Sequence, residues 1–373
     1  MKKFKLPIIV TAILLLILVA GIYLKCSGDY ESLTGLRREI YVLLNKKNIT
    51  ETEFTGKVSG YKWSKELEYK LEDTAVLMKE AEEDFIILNI TDLHIADFTS
   101  DALATIETFE KIKDMVAETE PDLITVTGDN VWEDSNMNSI HRLTEFMDSL
   151  EIPWAPIFGN HDDEGNCDLN YLADVMMESP YCLFQKGDPE MGCGNYIINV
   201  CQEEGGERKV VHSIIMMDTH HSALWENQIE WYQWAMEGVT TYSADSFESS
   251  VFMHIPCAQY QYAYEEAWDH ERNSWKEGYE AFGEKNEQEC CERDENDEPV
   301  DNGFFAAVTQ SGSTKNIFCG HDHVNNYSIV YQGVRITYTM KSSLGASYKP
   351  GMLGGTKISI GNGGSMTVQH LYY

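Results

Sequence analysis

The segment FIILNITDLHIADF, residues 85–98, decides how this chain is expected to fold. Its first half is a run of strand-forming apolar residues. The run ends at Asp92 and His94, which place a carboxylate and an imidazole two positions apart. A solvated strand end accounts for one such pair equally well, so its meaning depends on whether ligand-type residues also follow other strands.

Predicted strands and helices alternate along the chain from residue 85. FIILNITD, DLITVTGD and PWAPIFGN are predicted strands, and DALATIETFEKIKDMVAETE and SIHRLTEFMDSLE between them are predicted helices. A later block repeats the pattern with VVHSIIMMD, NQIEWYQWAME, SSVFMHIP and NIFCGHDH. The alternation predicts an α/β fold with a mostly parallel sheet and helices packed outside it. At the C-terminus, YSIVYQGVRITYTM and KISIGNGGSMTVQHLYY are expected to form antiparallel hairpins that close a second sheet.

Five of the predicted strands end in residues of metal-ligand type. Ligand crevices in open α/β sheets lie at the carboxyl ends of strands, so these termini are expected to converge. Carboxylates and an amide mixed with several imidazoles suit iron, manganese or zinc better than calcium or magnesium. Seven ligand groups are too many for one tetrahedral ion and are the number expected for two ions that share one carboxylate. The termini are Asp92-Leu93-His94, Gly128-Asp129-Asn130, Gly159-Asn160-His161-Asp162, His254-Ile255-Pro256 and Gly320-His321-Asp322-His323.

The set and order of these motifs resembles the calcineurin-like metallophosphoesterases, whose pattern is D-x-H, G-D, G-N-H-[DE], a lone His and G-H-x-H. The stretches DLITVTGDNVWED, FGNHDDE and GFFAAVTQSGSTKNIFCGHDHVNNY look most similar to the branch related to purple acid phosphatases. The resemblance covers about residues 85–373. It implies a four-layer α/β/β/α sandwich of two mixed sheets flanked by helices, and a hydrolase acting on phosphoric ester bonds.

The resemblance also implies a role for each ligand-type residue. Two transition-metal ions, of iron, manganese or zinc, would be bridged by Asp129, and such a pair activates water for in-line attack on phosphorus. His161 would lie beside the substrate phosphate as a general acid or an orienting donor. Asp92, His94 and His323 would hold the first ion, and Asn160, His254 and His321 would hold the second.

The chain departs from the family pattern at two places. The family often has an acidic residue three positions after the G-D aspartate, where this chain has Trp132, followed by Glu133 and Asp134. This change affects the surroundings of the site and leaves the ligand set intact. The tyrosine that colours the iron of purple acid phosphatases has no counterpart in a matching motif. A purple charge-transfer band is therefore not expected, and the identity of the metals stays open.

Charge and the N-terminal residues bear on partners and location. The 373-residue chain has a formal net charge of −33, which would repel a phosphate backbone, so no general nucleic-acid binding is expected. Lysines precede an uncharged run of about 18 residues, near the lower limit for a bilayer span. This pattern predicts a signal anchor or a cleaved signal peptide within residues 1–25, with the rest membrane-anchored or secreted outside the cytoplasm. A stalk over residues 26–83 and a catalytic domain over residues 84–373 are expected to follow.

Cysteines and an acidic segment are expected to be structural. Nine cysteines in an exported chain allow disulfides, and Cys167, Cys182, Cys193 and Cys201 are close enough in sequence to staple a loop region. EKNEQECCERDENDEP does not have the spacing of an EF-hand calcium loop and is predicted to be a solvated insertion.

Other histidines are weaker candidates for the site. Asp218 and His220 also follow an apolar strand, with His221 beside them. No helix and G-D strand follow in register, so direct ligation is not expected there. The remaining candidates are His141 and His212, expected to be structural, and His270 and His370, which have no motif around them.

Together these patterns favour a metal-dependent phosphoester hydrolase. The resemblance to the branch related to purple acid phosphatases favours monoesters over diesters as substrates. A phosphodiesterase acting on nucleotides or lipid head groups is the alternative enzyme. A non-catalytic surface protein that retains the fold for binding is the alternative of another class. The intact His161 and the full ligand set argue against it, because a binding module has no use for a free imidazole beside the metals.

Overall fold

The computed structural model describes residues 55–96, 101–132 and 136–373. These residues form two large mixed β-sheets and one two-stranded sheet. Helices pack on the two large sheets, as the resemblance implies. The strands in chain order are β1 Ala75–Met78, β2 Phe85–Ile90, β3 Leu123–Thr127, β4 Trp154–Ile157, β5 Tyr196–Glu204, β6 Glu207–Met216, β7 Ser243–Phe252, β8 Trp268–Asp269, β9 Ser274–Trp275, β10 Ala281–Phe282, β11 Thr314–Cys319, β12 Ser328–Tyr331, β13 Val334–Tyr338, β14 Gly354–Ile360 and β15 Met366–Tyr372. The helices are α1 Asp101–Thr119, α2 Asn136–Ser149, α3 Leu169–Met177, α4 Glu226–Val239, α5 Gln259–Ala267 and α6 Phe304–Ser311.

The five-stranded sheet has the order β15-β14-β2-β3-β4. Its strands β2, β3 and β4 run parallel, so their carboxyl ends lie at one edge of the sheet. All five residues of β3 are buried, which fits a parallel strand that is covered on both faces. Helix α1 packs on β2 and β14.

The eight-stranded sheet has the order β1-β5-β6-β7-β11-β13-β12-β10. Strands β6, β7, β11 and β13 run parallel to one another. Helices α5 and α6 pack on β12 and β11, and α4 packs against α6. Large aromatic side chains fill the core on this side of the sheet, among them Trp231, Tyr232, Tyr260, Phe304 and Tyr338.

The two C-terminal hairpins belong to different sheets. The hairpin β12–β13 joins the eight-stranded sheet, where β13 pairs with β11. The hairpin β14–β15 joins the five-stranded sheet, where β14 pairs antiparallel with β2 and places Ile358 opposite Ile87. The prediction that both hairpins close one second sheet is therefore wrong. Both hairpins join their sheets by backbone hydrogen bonds along a strand edge, and local sequence does not specify which edge each one meets.

Residues 55–83 pack on the rest of the described structure. Strand β1 pairs in parallel with β5. Upstream of it, the backbone N–H groups of Gly56 and Lys57 donate to the carboxylates of Asp168 and Asp174. The segment that is polar and helix-leaning in sequence contains one short 3₁₀ turn, Leu71–Asp73, before β1. The boundary between stalk and catalytic domain stays a prediction.

The predicted membrane-anchored location is corrected by the structure. Within residues 55–96, 101–132 and 136–373, no helix is both long and apolar enough to cross a bilayer. The longest, α1, has 19 residues but carries charged side chains such as Glu110 and Lys113, which form an ion pair. The apolar run within residues 1–25 lies outside the described residues.

The disulfides that the sequence allows do not form among the described residues. All eight cysteines of the described part of the chain are free, including the four that are close in sequence. Cys193 and Cys201 are buried in separate surroundings, Cys193 at the loop before β5 and Cys201 within β5. They act there as small apolar side chains.

Candidate metal centre

Five strand ends meet at the junction of the two sheets. Asp92 and His94 follow β2, Asp129 follows β3, and Asn160 follows β4 of the five-stranded sheet. From the eight-stranded sheet, His254 follows β7, and His321 and His323 follow β11. The structure therefore brings together all seven side chains that the sequence nominates as ligands.

The first group of ligating atoms comes from Asp92, His94, Asp129 and His323, all within 4.8 Å of one another. The Nε2 atoms of His94 and His323 are 3.0 Å apart. Nε2 of His94 is 3.5 Å from Oδ2 of Asp129, and Nε2 of His323 is 3.5 Å from Oδ1 of Asp92. Two imidazoles and two carboxylates thus converge on one small volume.

The second group comes from Asp129, His254 and His321, again within 4.8 Å of one another. Nε2 of His254 lies 3.3 Å from Oδ1 of Asp129 and 3.1 Å from Oδ1 of Asn160. The rings of His254 and His321 are 5.0 Å apart. Asp129 belongs to both groups, with one carboxylate oxygen toward each.

Backbone carbonyls orient two of the imidazoles. Nδ1–H of His254 donates to the Thr127 carbonyl at 2.8 Å, and Nδ1–H of His323 donates to the Ser347 carbonyl at 2.8 Å. A carbonyl oxygen can only accept, so it keeps a proton on Nδ1 and leaves Nε2 pointing into the site. This is the orientation that a histidine ligand to a metal requires.

Special backbone conformations place the ligands. Asp92, His94, Asp129 and His321 all have positive φ, between 43° and 73°, which costs about 1–3 kcal/mol for a non-glycine residue. Neighbouring Gly159 lies so close that a Cβ there would be 2.2 Å from Oδ1 of Asp129. The chain therefore adopts a strained conformation where the two sheets present their ligands.

The charges of the site complement one another. Burial opposes ionisation of Asp129, but the charge and hydrogen bond of His254 hold its pKa well below the ordinary value. Burial likewise opposes protonation of His254, yet Asp129 outweighs it and raises the pKa of that imidazole to about 10. Burial lowers the pKa of His94 and lowers that of His321 to about 4. These two imidazoles are therefore neutral at pH 7, the form that binds metal.

The cluster fits a pair of metal ions. Oδ2 of Asp129 and Nδ1 of His94 are buried and have no hydrogen-bond partner among the described residues. A buried carboxylate oxygen without a donor is costly unless a cation satisfies it. The donor set of carboxylates, an amide and imidazoles is suited to binding two ions that share Asp129.

His161 lies beside the cluster and outside both ligand groups. Its backbone N–H donates to Oδ1 of Asp129 at 3.0 Å, and its ring centre is 5.8 Å from that of His94. Trp132, where the family often has an acid, packs against both imidazoles at centroid distances of 5.0 Å and 4.6 Å. Nδ1 of His161 lies 2.8 Å from Oε2 of Glu164.

Two buried ionisable residues beside the ligands have no role assigned to them from the sequence. Nζ of Lys341 donates to the backbone carbonyl of Asp92 at 2.8 Å, and burial lowers its pKa to about 8. Asp162 accepts from the backbone N–H groups of Val131 and Gly159, and burial together with Asp129 raises its pKa to about 7. Asp162 was visible in the G-N-H-D motif, whereas Lys341 follows a strand with no such signal.

The weaker candidates have hydrogen-bond or packing partners outside the ligand cluster. Asp218 accepts from the backbone N–H groups of Cys193 and His220, and His220 stacks on Trp225 at 3.7 Å. His212 is buried between the Gly364 carbonyl and the Ser250 hydroxyl. His221 pairs with Asp163, His141 approaches Tyr171, His270 packs near Tyr264, and His370 contacts Thr356 and the Asn326 carbonyl.

A third grouping of ligand-type atoms borders the site. Cys290 lies with His321 and Asp322. Asp322, however, already accepts from the Tyr338 hydroxyl, the Asn325 amide and the backbone N–H of Cys290. Its carboxylate anchors the acidic insertion to the end of β11.

Fold and site define a metallophosphoesterase domain, the class of enzymes that hydrolyses phosphoric esters. The profile of the calcineurin-like phosphoesterases matches residues 85–325, and the chain belongs to this family. The sequence-based recognition of the family is confirmed.

Relatives agree with the branch inferred from sequence. The probable inactive purple acid phosphatase 14 of Arabidopsis thaliana is 23% identical over 253 residues, which cover 60% of this chain and 59% of the relative. Phosphatase DCR2 of Saccharomyces cerevisiae is 26% identical over 285 residues, which cover 68% of this chain and 46% of the relative. The chain thus spans only about half the length of these relatives. Among solved structures, a dimetal phosphatase from Danio rerio aligns with a TM-score of 0.46 and 10% identity, over 78% of this chain and 99% of that one.

Proposed function

We propose that this chain hydrolyses phosphoric monoesters at a centre of two transition-metal ions. The observation that carries the proposal is that Asp129 belongs to two groups of ligating atoms. A carboxylate shared between two such groups is the arrangement that a bridged metal pair requires. The substrate would be a small phosphoester.

Iron, manganese and zinc are the ions that this donor set favours. When bound, such a pair provides Lewis acidity and a hydroxide nucleophile at neutral pH. The first ion would be held by Asp92, His94, Asp129 and His323, and the second by Asp129, Asn160, His254 and His321.

His161 is proposed as the general acid. Its side chain is 31% exposed, so a bound ester can reach it, and the neighbouring Asn160 faces the second group of ligands. Nε2 of His161 has no hydrogen-bond partner among the described residues and can donate a proton to the leaving oxygen.

Monoesters are proposed ahead of diesters because the relatives are named as phosphatases and purple acid phosphatases. The same names support a second candidate, a non-catalytic binding protein, since three Arabidopsis relatives are called probable inactive. The complete ligand cluster and the accessible His161 favour catalysis in this chain.

The test is a hydrolysis panel of alkyl and aryl monoesters and diesters, run with iron, manganese or zinc and followed by product release. We expect about two metal ions per chain by elemental analysis and faster turnover of monoesters. Asp129→Asn should lose metal and activity together. His161→Asn should keep both ions and lose about 10²–10⁴-fold in turnover of alkyl esters.

Metal near zero in active protein would contradict the two-metal proposal. Faster turnover of diesters would favour the alternative enzyme. Two bound ions without any hydrolysis would favour the binding protein.

A further inference from the structure

A carboxylate outside the ligand set contacts the proposed general acid. Oε2 of Glu164 lies 2.8 Å from Nδ1 of His161. A carboxylate can only accept, so the Nδ1 proton of His161 is donated to Glu164. Nε2, on the opposite side of the ring, is then the nitrogen available to a substrate.

Three contacts hold His161, one through its backbone and two through its ring. Its backbone N–H donates to Asp129, Trp132 packs against the imidazole, and Glu164 binds Nδ1. Only the contact with Glu164 determines which nitrogen carries the first proton. Hydrogen-bond partners of this kind are known to set histidine tautomer and orientation.

The turn that carries Glu164 is itself preorganised. The backbone N–H of Glu164 donates to the His161 carbonyl at 3.3 Å. The Asn136 side chain donates to the carbonyls of Asp162 and Cys167, and it accepts from the Cys167 N–H. Glu164 is therefore displayed by a segment clamped on both sides of it, although its side chain is half exposed.

We propose that Glu164 is the positioning residue for proton donation by His161. The inference rests on the proposed function and adds a residue to it. As the bond between phosphorus and the new oxygen forms, the bond to the leaving oxygen breaks, and the proton on Nε2 moves to that oxygen. The Nδ1 proton stays on the ring, hydrogen-bonded to Glu164, so His161 ends the step as a neutral imidazole.

The neighbouring Asp163 provides a matched comparison. Its carboxylate contacts a different imidazole, with Oδ2 at 3.2 Å from Nε2 of His221. Two consecutive acids thus bind two different imidazoles, and only one of these belongs to the proposed machinery. An exposed contact of this kind without a catalytic role would leave the rate equally insensitive to the leaving group on both esters.

The kinetic test compares Glu164→Met, which removes the acceptor, with Glu164→Gln, which keeps one, and with Asp163→Asn. We expect Glu164→Met to lower kcat on an alkyl phosphate about 10-fold or more, bounded by the 10²–10⁴-fold effect of a general acid. Glu164→Gln should recover part of this loss. The loss should shrink on p-nitrophenyl phosphate, whose leaving group needs little protonation, and Asp163→Asn should leave both rates near wild type.

A double variant shows whether Glu164 acts through His161. In the His161→Asn background, Glu164→Met should cost nothing further. Equal losses on both esters, or the same loss in the absence of the imidazole, would overturn the proposal.

A spectroscopic test is independent of turnover. In two-bond ¹H–¹⁵N spectra of the zinc-loaded protein, His161, assigned with His161→Asn, should show a protonated Nδ1 in wild type and lose that signature in Glu164→Met. An unchanged tautomer would overturn the proposal even if the enzyme is active. Conversely, a wild-type protein that hydrolyses no ester but shows the Glu164-dependent tautomer would contradict the proposed function and leave the His161–Glu164 contact established.

Discussion

At the scale of single residues, the site depends on backbone conformations that most side chains avoid. Four ligand-type residues have positive φ, and Gly159 and Gly320 lie against ligand side chains. A Cβ on Gly320 would be 2.8 Å from Oδ2 of Asp92. Strained ligands and close glycines together indicate that the ligand geometry is determined by the backbone before any ion binds.

Gly159→Ala should therefore disable the proposed metal centre without replacing any ligand. The added Cβ would lie 2.2 Å from Oδ1 of Asp129 and 2.7 Å from Nε2 of His254, so the shared carboxylate must move. We expect metal content to fall at both positions and turnover to fall by about 10²-fold, the effect of a misplacement near 1 Å. Elemental analysis and kinetics measure both.

Gly60→Ala is the control for this change, because an added Cβ there meets no atom within 4 Å. It should retain metal and activity. Full metal content in Gly159→Ala would show that the second ligand group tolerates displacement of Asp129.

At the scale of elements, buried histidines tie strands together away from the metals. His212 of β6 contacts Ser250 of β7, and it also binds the Gly364 carbonyl in the turn between β14 and β15 of the other sheet. Burial lowers its pKa to about 4. His370 of β15 is buried with Thr356 of β14, and burial lowers its pKa to about 4 as well.

These two imidazoles should make stability depend on pH. Their ordinary pKa is about 6.5, so between pH 4 and 6.5 the unfolded chain binds more protons than the folded one. Their contribution to stability is present above pH 6.5 and is lost as the pH falls toward 4. Each contributes a slope of up to about 1.4 kcal/mol per pH unit.

Urea unfolding of metal-free protein at several pH values measures this slope. His212→Gln and His370→Gln should each reduce the slope by the amount that corresponds to about one proton taken up on unfolding, and the double variant by the amount for about two. A slope that is the same in all four proteins would show that these histidines do not titrate on unfolding.

At the scale of the whole molecule, the cluster of ligand-type residues joins the two sheets. One ligand group combines Asp92 and Asp129 with His323 from the other sheet, and the second combines Asp129 with His254 and His321. Ions held by these residues would crosslink the two sheets, and any ligand that binds only the folded state stabilises it.

Removal of metal should therefore lower the melting temperature. With ions at about 100 times their Kd, one site contributes about 2.7 kcal/mol. For a domain of this size we expect a decrease of roughly 5 °C or more on chelation. Differential scanning calorimetry, with readdition of zinc or manganese, measures the effect. Asp129→Asn should have a lower melting temperature than wild type, and chelator should change it little. A wild-type melting temperature that is unchanged by chelation would contradict a structural role for the metals.

The ligand types and their order along the chain could be read from sequence alone. Asp92 and His94, or His321 and His323, are neighbours by covalent connection, and each pair directly follows an apolar strand. Parallel strands place such termini at a common edge, so the convergence follows from local patterns and a general rule of sheet architecture. The family could be recognised for the same reason.

Tertiary structure alone decided the contacts between residues that are distant in sequence. Lys341 reaches the carbonyl of Asp92 across 249 positions, and β14 pairs with β2 although both C-terminal hairpins have similar apolar patterns. Glu164 is close to His161 in sequence, but nothing in the sequence distinguishes it from Asp163, which turns to His221. Local sequence encodes propensity and spacing, whereas sheet partners and side-chain directions depend on which buried surfaces meet when the whole chain packs.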